Sequence, residues 1–188
     1  MPRTKTELTP AEYGILGLLR EKPTYGYELQ RHFSGRQGLG RVCPVEPGMV
    51  YASLKSLSGL ELIDGSWDNT TYPPKAVYAT TDLGEASFQR WLLAPVARIR
   101  EVRLDFLVKL YFALKENRDL ASRLIEGQLA ATREYAESIE QEQRLYADDP
   151  ASFDAIVLGS KASAARITID WLEKTLGNFA EFASPVGS

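Results

Sequence analysis

GMVYASLKSLSGL, the sequence of residues 48–60, has the periodicity of an amphipathic helix. Val50, Leu54 and Leu57 fall at i, i+4 and i+7, so they lie on one face of that helix. The opposite face is small, polar or capable of hydrogen bonding and holds a single charge; its members are Met49, Tyr51, Ala52, Lys55 and Ser56. A face of this kind costs little to desolvate, which favours close approach to another polymer.

Two β-rich segments follow this helix, LIDGSW at residues 62–67 and KAVYAT at residues 75–80. The loop between them, DNTTYPP, carries turn formers at both ends, as expected for a hairpin with an extended tip. Two further helical segments precede the amphipathic helix. Helices followed by a hairpin are the plan of a winged helix-turn-helix domain, so the predicted fold class is mainly α and DNA binding is the leading functional prediction.

The first of the preceding helices has a complete start signal. Thr9 suits the N-cap, Pro10 the first helical position, and Glu12 the third position of a capping box. A second helix is expected over residues 25–33, with Thr24 as its cap.

Residues 34–47 are rich in glycine and include Arg36 and Arg41, a pattern that predicts an irregular connection. The connection fits a flexible basic loop that reaches a phosphate and, equally, a solvated link between helices. Cys43, the only cysteine, lies in the same segment. It is either a small residue near the start of the amphipathic helix at residues 48–60, the recognition helix of the predicted domain, or an oxidation sensor next to DNA.

Beyond the hairpin the chain turns wholly helical. Thr81-Asp82 can start a helix that Pro95 interrupts, and we place the domain boundary there. The predicted domains are a winged-helix DNA-binding domain at residues 1–94, an antiparallel helical dimerisation domain at residues 95–183, and a tail at residues 184–188. Helices of the second domain are expected at about residues 99–114, about 117–146, and from 153 onward.

The last helix has two apolar faces. One follows the spacing of a coiled-coil seam and is predicted to form the dimer interface: Leu158, Ala162, Ala165, Ile169, Leu172 and Leu176. The other contains Phe153, Val157, Ser160, Ala164, Ile167 and Trp171. The preceding long helix can cover one face and a second subunit the other. A homodimer is therefore favoured over packing of both faces within one chain.

The charge of the chain is unevenly distributed. Among 188 residues the net charge is −3, yet the first 90 residues hold ten Lys or Arg and ten Asp or Glu, against twelve and fifteen in the rest. The DNA-binding half is therefore neutral and has no strong positive field. With few cations facing DNA, we expect a log–log salt slope of roughly −3 to −6, at ~0.9 per phosphate contact.

Several classes of protein are excluded by the sequence. No apolar run approaches the ~18 residues of a membrane span, no signal peptide is recognised, and one cysteine cannot form an internal disulfide, so we expect a cytoplasmic protein. His32 is the only histidine. Without a nucleophile elbow, a metal-ligand cluster or a phosphate-binding loop, neither enzyme activity nor a cofactor is expected.

Short motifs within residues 8–92 resemble those of the PadR family of bacterial transcriptional regulators. In chain order they are Leu18-Leu19, Pro23, Tyr25-Gly26-Tyr27-Glu28-Leu29, Gly48-Met49-Val50-Tyr51, Leu54-Lys55-Ser56-Leu57, Tyr78, Thr81, Gly84 and Trp91. The helical remainder is similar in architecture only, to the dimerisation domain of family members with a long tail. The resemblance implies a repressor that an effector signal, such as a small molecule, releases from DNA.

The chain departs from the family pattern at three places. Ala52 stands where proline usually follows the tyrosine of the recognition helix, and Glu61 where glycine usually precedes Leu-Ile. Ala76 and Ala79 replace basic residues that are common in the wing. The fold tolerates these changes, which bear instead on affinity for DNA or on the sequence that is read.

A helix-turn-helix domain presents the start of its recognition helix to base edges, and a cation on the wing favours the minor groove. The residues expected to contact DNA are therefore Thr24, Tyr25, Gly48, Met49, Tyr51, Ala52, Lys55 and Lys75. Pro47-Gly48 would begin the recognition helix, where free amide groups suit a phosphate. The alternative for Tyr51 is packing of its ring under Tyr27, and for Lys75 a solvated side chain.

A dimer of such domains predicts a pseudo-palindromic operator in double-stranded DNA, with half-sites ~34–36 Å apart or a multiple of that distance. The competing function is a winged-helix protein-interaction module without specific DNA binding, which the neutral first half also suits.

Overall fold

A computed structural model describes residues 7–181, and the chain divides into two compact units. The first is Met1–Ala94 with Arg103–Phe112, and the second is Pro95–Val102 with Ala113–Ser188. The predicted domain limits, 1–94 and 95–183, do not anticipate that residues 103–112 belong with the first unit. The predicted tail, 184–188, lies outside the described residues.

The first unit combines helices with one small antiparallel sheet. Its elements in chain order are α1 (Pro10–Glu21), β1 (Thr24–Tyr25), α2 (Gly26–Ser34), α3 (Leu39–Val42), α4 (Pro47–Gly59), β2 (Ile63–Asp68), β3 (Lys75–Thr80) and α5 (Asp82–Leu93). The strand order is β1-β3-β2, so the predicted hairpin of β2 and β3 gains a third, two-residue strand. Helix α4 packs on α1 and α2, and the hairpin follows it as a wing. The predicted winged-helix fold is confirmed.

The spacing of apolar residues and the capping pattern account for the local structure of this unit. Val50, Leu54 and Leu57 are each no more than 1% exposed. The Thr9 hydroxyl accepts from the Glu12 N–H at 3.2 Å, while Glu12 Oε2 accepts from the Thr9 N–H at 2.8 Å. These features were predictable because each depends on residues within one or two turns of helix.

The start of α2 differs from the prediction. Thr24 does not cap the helix, because it pairs with Tyr78 in the sheet and Tyr25 occupies the N-cap position. The Tyr25 side chain makes no capping hydrogen bond to this end of α2. A residue in the short strand β1 and an N-cap residue both have an extended backbone. The local sequence alone could therefore not distinguish Thr24 as a strand residue from Thr24 as a cap.

The connection over residues 34–47 is more compact than predicted, because it contains α3. Leu39 and Cys43 are buried there. A Cβ atom on Gly40 would lie 2.2 Å from the carbonyl oxygen of Gly35. At Gly40, therefore, glycine permits a close backbone approach, whereas the sequence pattern had indicated a flexible or merely solvated loop.

Helix α4 ends in a Schellman motif. The Leu62 N–H donates to the Leu57 carbonyl at 3.0 Å, and the Glu61 N–H donates to the Ser58 carbonyl at 3.0 Å. Such a motif needs one residue in the left-handed conformation, and Glu61 supplies it with φ of 58°. This is the position where the family resemblance leads one to expect glycine, which adopts that conformation without a Cβ penalty.

Replacing Glu61 by glycine is expected to raise the free energy of unfolding of the first unit by about 0.5–1 kcal/mol. The left-handed conformation costs an L-residue ~1 kcal/mol, and the greater freedom of glycine in the unfolded chain offsets part of the gain. Urea denaturation measures the difference. The control is Ser58→Gly at a helical position of α4, which should destabilise instead; a loss of stability in Glu61→Gly would contradict the expectation.

Within the described residues, four helices and a π-helical turn follow, and some of these elements are divided between the two units. They are α6 (Ile99–Glu101), the π-helical turn Val102–Phe106, α7 (Leu107–Glu116), α8 (Arg118–Arg144) and α9 (Phe153–Glu181). The helix predicted over residues 99–114 is thus interrupted by the π-helical turn. Along residues 7–181, no helix combines the length and the apolar character needed to cross a bilayer.

Helices α8 and α9 form an antiparallel pair across a short connection. Leu158, Ala165 and Leu172 are 3%, 0% and 0% exposed, because their side of α9 packs within the chain. The assignment of these three residues to a dimer interface is therefore corrected: α8 offers the nearer apolar surface. The other three predicted members are partly exposed; they are Ala162, Ile169 and Leu176.

Buried polar side chains in both units pair with backbone groups, and Gln128 and Lys109 are two examples. In the second unit, the Gln128 amide accepts from the Val96 N–H at 2.7 Å and donates to the Val96 carbonyl at 3.0 Å. In the first unit, the Lys109 ammonium donates to the Ala94 carbonyl at 2.5 Å and lies 5.0 Å from the Trp91 ring centroid. Burial lowers the pKa of Lys109 to about 8. Each side chain replaces water as a hydrogen-bond partner of the backbone.

Candidate nucleic-acid interface

Helix α4 presents an open face that carries five of the predicted DNA contacts. Met49 is 61% exposed and Tyr51 50%. The remaining three, also exposed, are Gly48, Ala52 and Lys55. The structure thus brings these residues together on one side of the helix, opposite the buried side. Lys55 supplies the only charge of the group.

The Tyr51 ring contacts α2 while half of the side chain stays exposed. A Cβ atom on Gly26 would lie 2.9 Å from Tyr51 Cε1, so glycine at the first position of α2 lets the ring approach. The packing partner is therefore Gly26, whereas the sequence suggested Tyr27. This contact limits the freedom of the ring and leaves part of the side chain available to a ligand.

The start of α4 has a mixed electrostatic character. Pro47 occupies the first turn as predicted, and Gly48 is exposed, with open space where a Cβ atom would lie. The N-cap residue is Glu46, whose side chain makes no capping hydrogen bond and is exposed. Its carboxylate interacts favourably with the helix dipole and disfavours a phosphate at the same place. The predicted phosphate site at this helix end is weakened accordingly.

The two residues predicted at the start of α2 are already engaged within the first unit. Thr24 is 6% exposed, and its hydroxyl donates to the Glu28 carboxylate. The Tyr25 hydroxyl donates to Asp68 Oδ2 at 2.5 Å. The side chain of Thr24 is therefore not available to a DNA backbone, and that assignment is corrected. The structure does not place Thr24 or the Tyr25 hydroxyl on the open face of α4.

The hydrogen bond between Tyr25 and Asp68 shifts the titration of both groups. The Asp68 carboxylate raises the pKa of Tyr25 to about 12, because it accepts from the neutral phenol. Hydrogen bonds from Thr70 and from Tyr25 hold the pKa of Asp68 below its usual value. At neutral pH the pair is therefore a phenol that donates to a carboxylate.

The wing carries one predicted contact, Lys75, at the first position of β3. Its side chain is exposed, and its ammonium lies 5.0 Å from the Tyr27 ring centroid and 5.9 Å from that of Tyr25. These distances permit cation–π attraction. The ammonium is thus neither freely solvated nor buried: two aromatic rings restrict where it stands.

Cys43 has the properties of a packing residue. It is 9% exposed, and burial is the main cause that raises the pKa of its thiol. Oxidation requires the thiolate and access to solvent, and both are reduced here. The structure therefore favours the first of the two interpretations of Cys43, a small residue near the recognition helix.

Sequence reasoning missed two residues that shape this interface, Gly26 and Asp68. Gly26 was visible only as part of a family motif, since nothing in the local pattern indicates the Tyr51 ring against it. Asp68 was read only as a turn former. The Asp-Asn-Thr order does suggest a turn, but the second hydrogen-bond partner of Asp68, Tyr25, is 43 residues away along the chain.

Helices packed beneath a two-stranded wing, with an open and nearly uncharged recognition face, define a winged-helix protein of the helix-turn-helix class. Residues 15–90 match the model of the transcriptional regulator PadR-like family, and residues 102–179 match that of the virulence activator alpha C-terminal region. Residues 15–90 are thus a domain of the PadR-like family of transcriptional regulators.

Two named relatives align along most of the chain. The negative transcriptional regulator PadR of Bacillus subtilis is 26% identical over 174 residues, covering 88% of this chain and 94% of its own length. A probable transcriptional regulator of Mycobacterium tuberculosis is 27% identical over 189 residues, covering 86% and 93%. Both are named as transcriptional regulators, a class of proteins that is not enzymatic.

Among solved structures, the chain is similar to that of Bacillus subtilis PadR in complex with operator DNA. The TM-score is 0.46 at 26% identity, over 91% of this chain and 98% of that chain.

Proposed function

We propose that this regulator is a homodimeric, sequence-specific DNA-binding repressor that an effector signal releases. The observation that carries the proposal is the open face of α4. Five predicted contacts lie on it, the opposite side is buried, and a polar or small surface of this kind can enter a major groove without a large desolvation cost. We propose residues 1–94 as the DNA-binding domain and residues 95–183 as the dimerisation domain, with the exception that Arg103–Phe112 belong to the compact unit of the former.

The proposed contacts divide by position. Gly48, Met49, Tyr51 and Ala52 would meet base edges or the adjoining backbone, and Lys55 would pair with a phosphate or a guanine. Lys75 would approach the minor groove from the wing. Thr24 is left out, because its side chain is enclosed.

The dimer is proposed from the apolar face of α9 that the single chain leaves uncovered. Phe153 is 79% exposed and Ile167 65%, and they lie on one side of the helix. These residues belong to the second of the two apolar faces that the sequence predicts for the last helix. A contiguous apolar face of this kind favours a partner surface, and a second copy of the helix offers one of matching character.

Ile167→Glu is expected to weaken dimerisation by roughly 100-fold, because it would place a carboxylate in an apolar interface at a cost of ~3 kcal/mol. Sedimentation equilibrium at micromolar concentration measures the change. Arg166→Glu is the control. Arg166 is exposed on a side of α9 that belongs neither to the buried face nor to the proposed interface, so this substitution changes the charge of the helix and leaves the apolar face intact. A wild-type chain that is monomeric, or an Ile167→Glu variant that dimerises normally, would contradict the proposed interface.

Repression is supported by one relative's description as a negative regulator. Release by an effector enters from the resemblance to the family, and we assign no residues to it. A regulator that acts on chromosomal DNA would work in the cytoplasm.

The test of the proposal is a mobility-shift titration with a labelled duplex from upstream of the protein's own gene. Sequencing of the DNA that co-purifies with the protein supplies further duplexes. We expect a preference of roughly 1000-fold or more over random competitor, as for specific regulators. A winged-helix protein-interaction module, the competing function, would instead bind all of these duplexes and the competitor alike, or none of them.

A further inference from the structure

The carboxylate of Asp68 connects the wing loop to the start of α2. Its Oδ1 atom accepts from the Thr70 N–H at 2.9 Å and from the Thr70 hydroxyl at 2.6 Å. Its Oδ2 atom accepts from the Tyr25 hydroxyl at 2.5 Å. Asp68 is the last residue of β2, Thr70 lies in the wing loop, and Tyr25 is the N-cap of α2. One side chain thus joins three elements of the first unit.

The register of the sheet explains why these groups meet. Tyr25 pairs with Val77, and Asp68 pairs with Lys75, two residues earlier on β3. Paired residues share a face of the sheet, as do residues two apart on a strand. The Tyr25 side chain therefore reaches diagonally across β3 to Asp68. The Lys75 side chain lies on the same face, beside the stacked rings of Tyr25 and Tyr27, whose centroids are 5.4 Å apart.

We propose that Tyr25 and Asp68 are positioning residues for the wing: the hydrogen bond between them sets where the wing loop and the Lys75 ammonium stand relative to α2. This inference rests on the proposed DNA-binding function. It replaces the sequence-based assignment of Tyr25 as a direct DNA contact, since the hydroxyl that would donate to a phosphate already donates to Asp68.

The arrangement also resolves an electrostatic difficulty. A carboxylate at the end of a wing strand would repel DNA phosphates. Asp68 accepts hydrogen bonds from both Thr70 groups and from Tyr25, and its charge attracts the Lys75 ammonium. The carboxylate thus serves the wing as an anchor while its charge is compensated by neighbouring donors.

The first test is a double-mutant cycle on the labelled upstream duplex. Tyr25→Phe removes the hydroxyl and keeps the ring, and we expect roughly 3–10-fold weaker binding when Lys75 is present. In a Lys75→Ala background the same change should cost less than about 2-fold, because the hydroxyl acts through the position of that lysine. An equal loss in both backgrounds would overturn the proposal and indicate that Tyr25 touches DNA itself.

Tyr27→Phe is the matched control. Tyr27 is the other ring of the stack with Tyr25, but its hydroxyl makes no hydrogen bond within residues 7–181. We expect it to change affinity by less than about 2-fold. A loss as large as that of Tyr25→Phe would assign the effect to the ring stack and overturn the role of the hydroxyl.

The second test needs no DNA. In protein labelled with ¹³Cζ-tyrosine, Asp68→Asn should lower the pKa of Tyr25 from about 12 toward the ordinary value of ~10. Amide exchange at Thr70 should rise by roughly 10-fold, since its N–H loses a charged acceptor. An unchanged pKa and unchanged exchange would overturn the connection. If the wild-type chain prefers no duplex, the proposed function fails, while this test still decides whether Asp68 holds the wing.

Discussion

Gly84→Ala is expected to lower the free energy of unfolding of the first unit by about 3 kcal/mol. A Cβ atom at this position would lie 2.1 Å from the Leu62 carbonyl oxygen and 2.6 Å from the Thr80 hydroxyl oxygen. Both distances are far below van der Waals contact, and the nearer atom belongs to the backbone. Overpacking of a buried site costs 1–3 kcal/mol, and a rigid neighbour places Gly84 at the upper end of that range.

The Leu62 carbonyl cannot move aside cheaply. It accepts from the Thr81 N–H at 3.1 Å, and the Leu62 N–H donates to the Leu57 carbonyl at 3.0 Å in the Schellman motif. Relief of the clash would therefore disturb the end of α4 or the start of the hairpin. This close approach of α5 to the first residues of the wing is the physical reason for glycine at position 84, one of the residues that carry the family resemblance.

Chemical denaturation of the full chain, followed by tryptophan fluorescence, measures the effect. Gly59→Ala is the matched control, because Gly59 is a helical glycine of the same unit, with no atom within 4 Å of an added Cβ. The control should change stability by less than ~1 kcal/mol, in the stabilising direction. A Gly84→Ala variant as stable as the control would show that the backbone around Leu62 yields easily.

Lys55→Glu is expected to weaken binding to the upstream duplex by roughly 100-fold, or ~2.7 kcal/mol. Lys55 is the only charged residue on the open face of α4. Its replacement removes one attraction and adds one repulsion at the place where phosphates or a guanine would lie. Since the first 90 residues carry equal numbers of cations and anions, no surplus of positive charge compensates for the loss.

The salt dependence provides a second measurement on the same variant. The log–log slope should become shallower by about 1, because one phosphate contact no longer releases a counterion. Arg166→Glu makes the same change in net charge on α9 and should leave affinity and slope nearly unchanged. Equal effects of the two substitutions would mean that net charge, rather than the face of α4, governs the interaction.

If Lys55→Glu weakens binding to specific and random DNA to the same extent, Lys55 contacts a phosphate. Selective weakening of the specific duplex would assign it to a base edge. Affinity unchanged for every duplex would remove α4 as the reading helix.

The sequence by itself determined most elements of the winged-helix unit, but neither the short strand β1 nor the helix α3. The start of α1, the buried face of α4, and the limits of β3 all follow from patterns that are complete within a few residues. A capping box joins groups three residues apart, and an apolar face repeats every three or four. The physical cause and the visible pattern occupy the same short stretch, so reading the stretch is sufficient.

Only the tertiary structure decided which surfaces those elements share. The sequence pattern assigned Leu158, Ala165 and Leu172 to a dimer interface, whereas they are buried within the chain. Which apolar face of α9 packs on α8 depends on how the two helices fit along their whole length. Tyr25 and Asp68 meet only because β3 lies between them in a particular register. Contacts between distant segments depend on complementary shape and register, which no periodicity within either segment encodes.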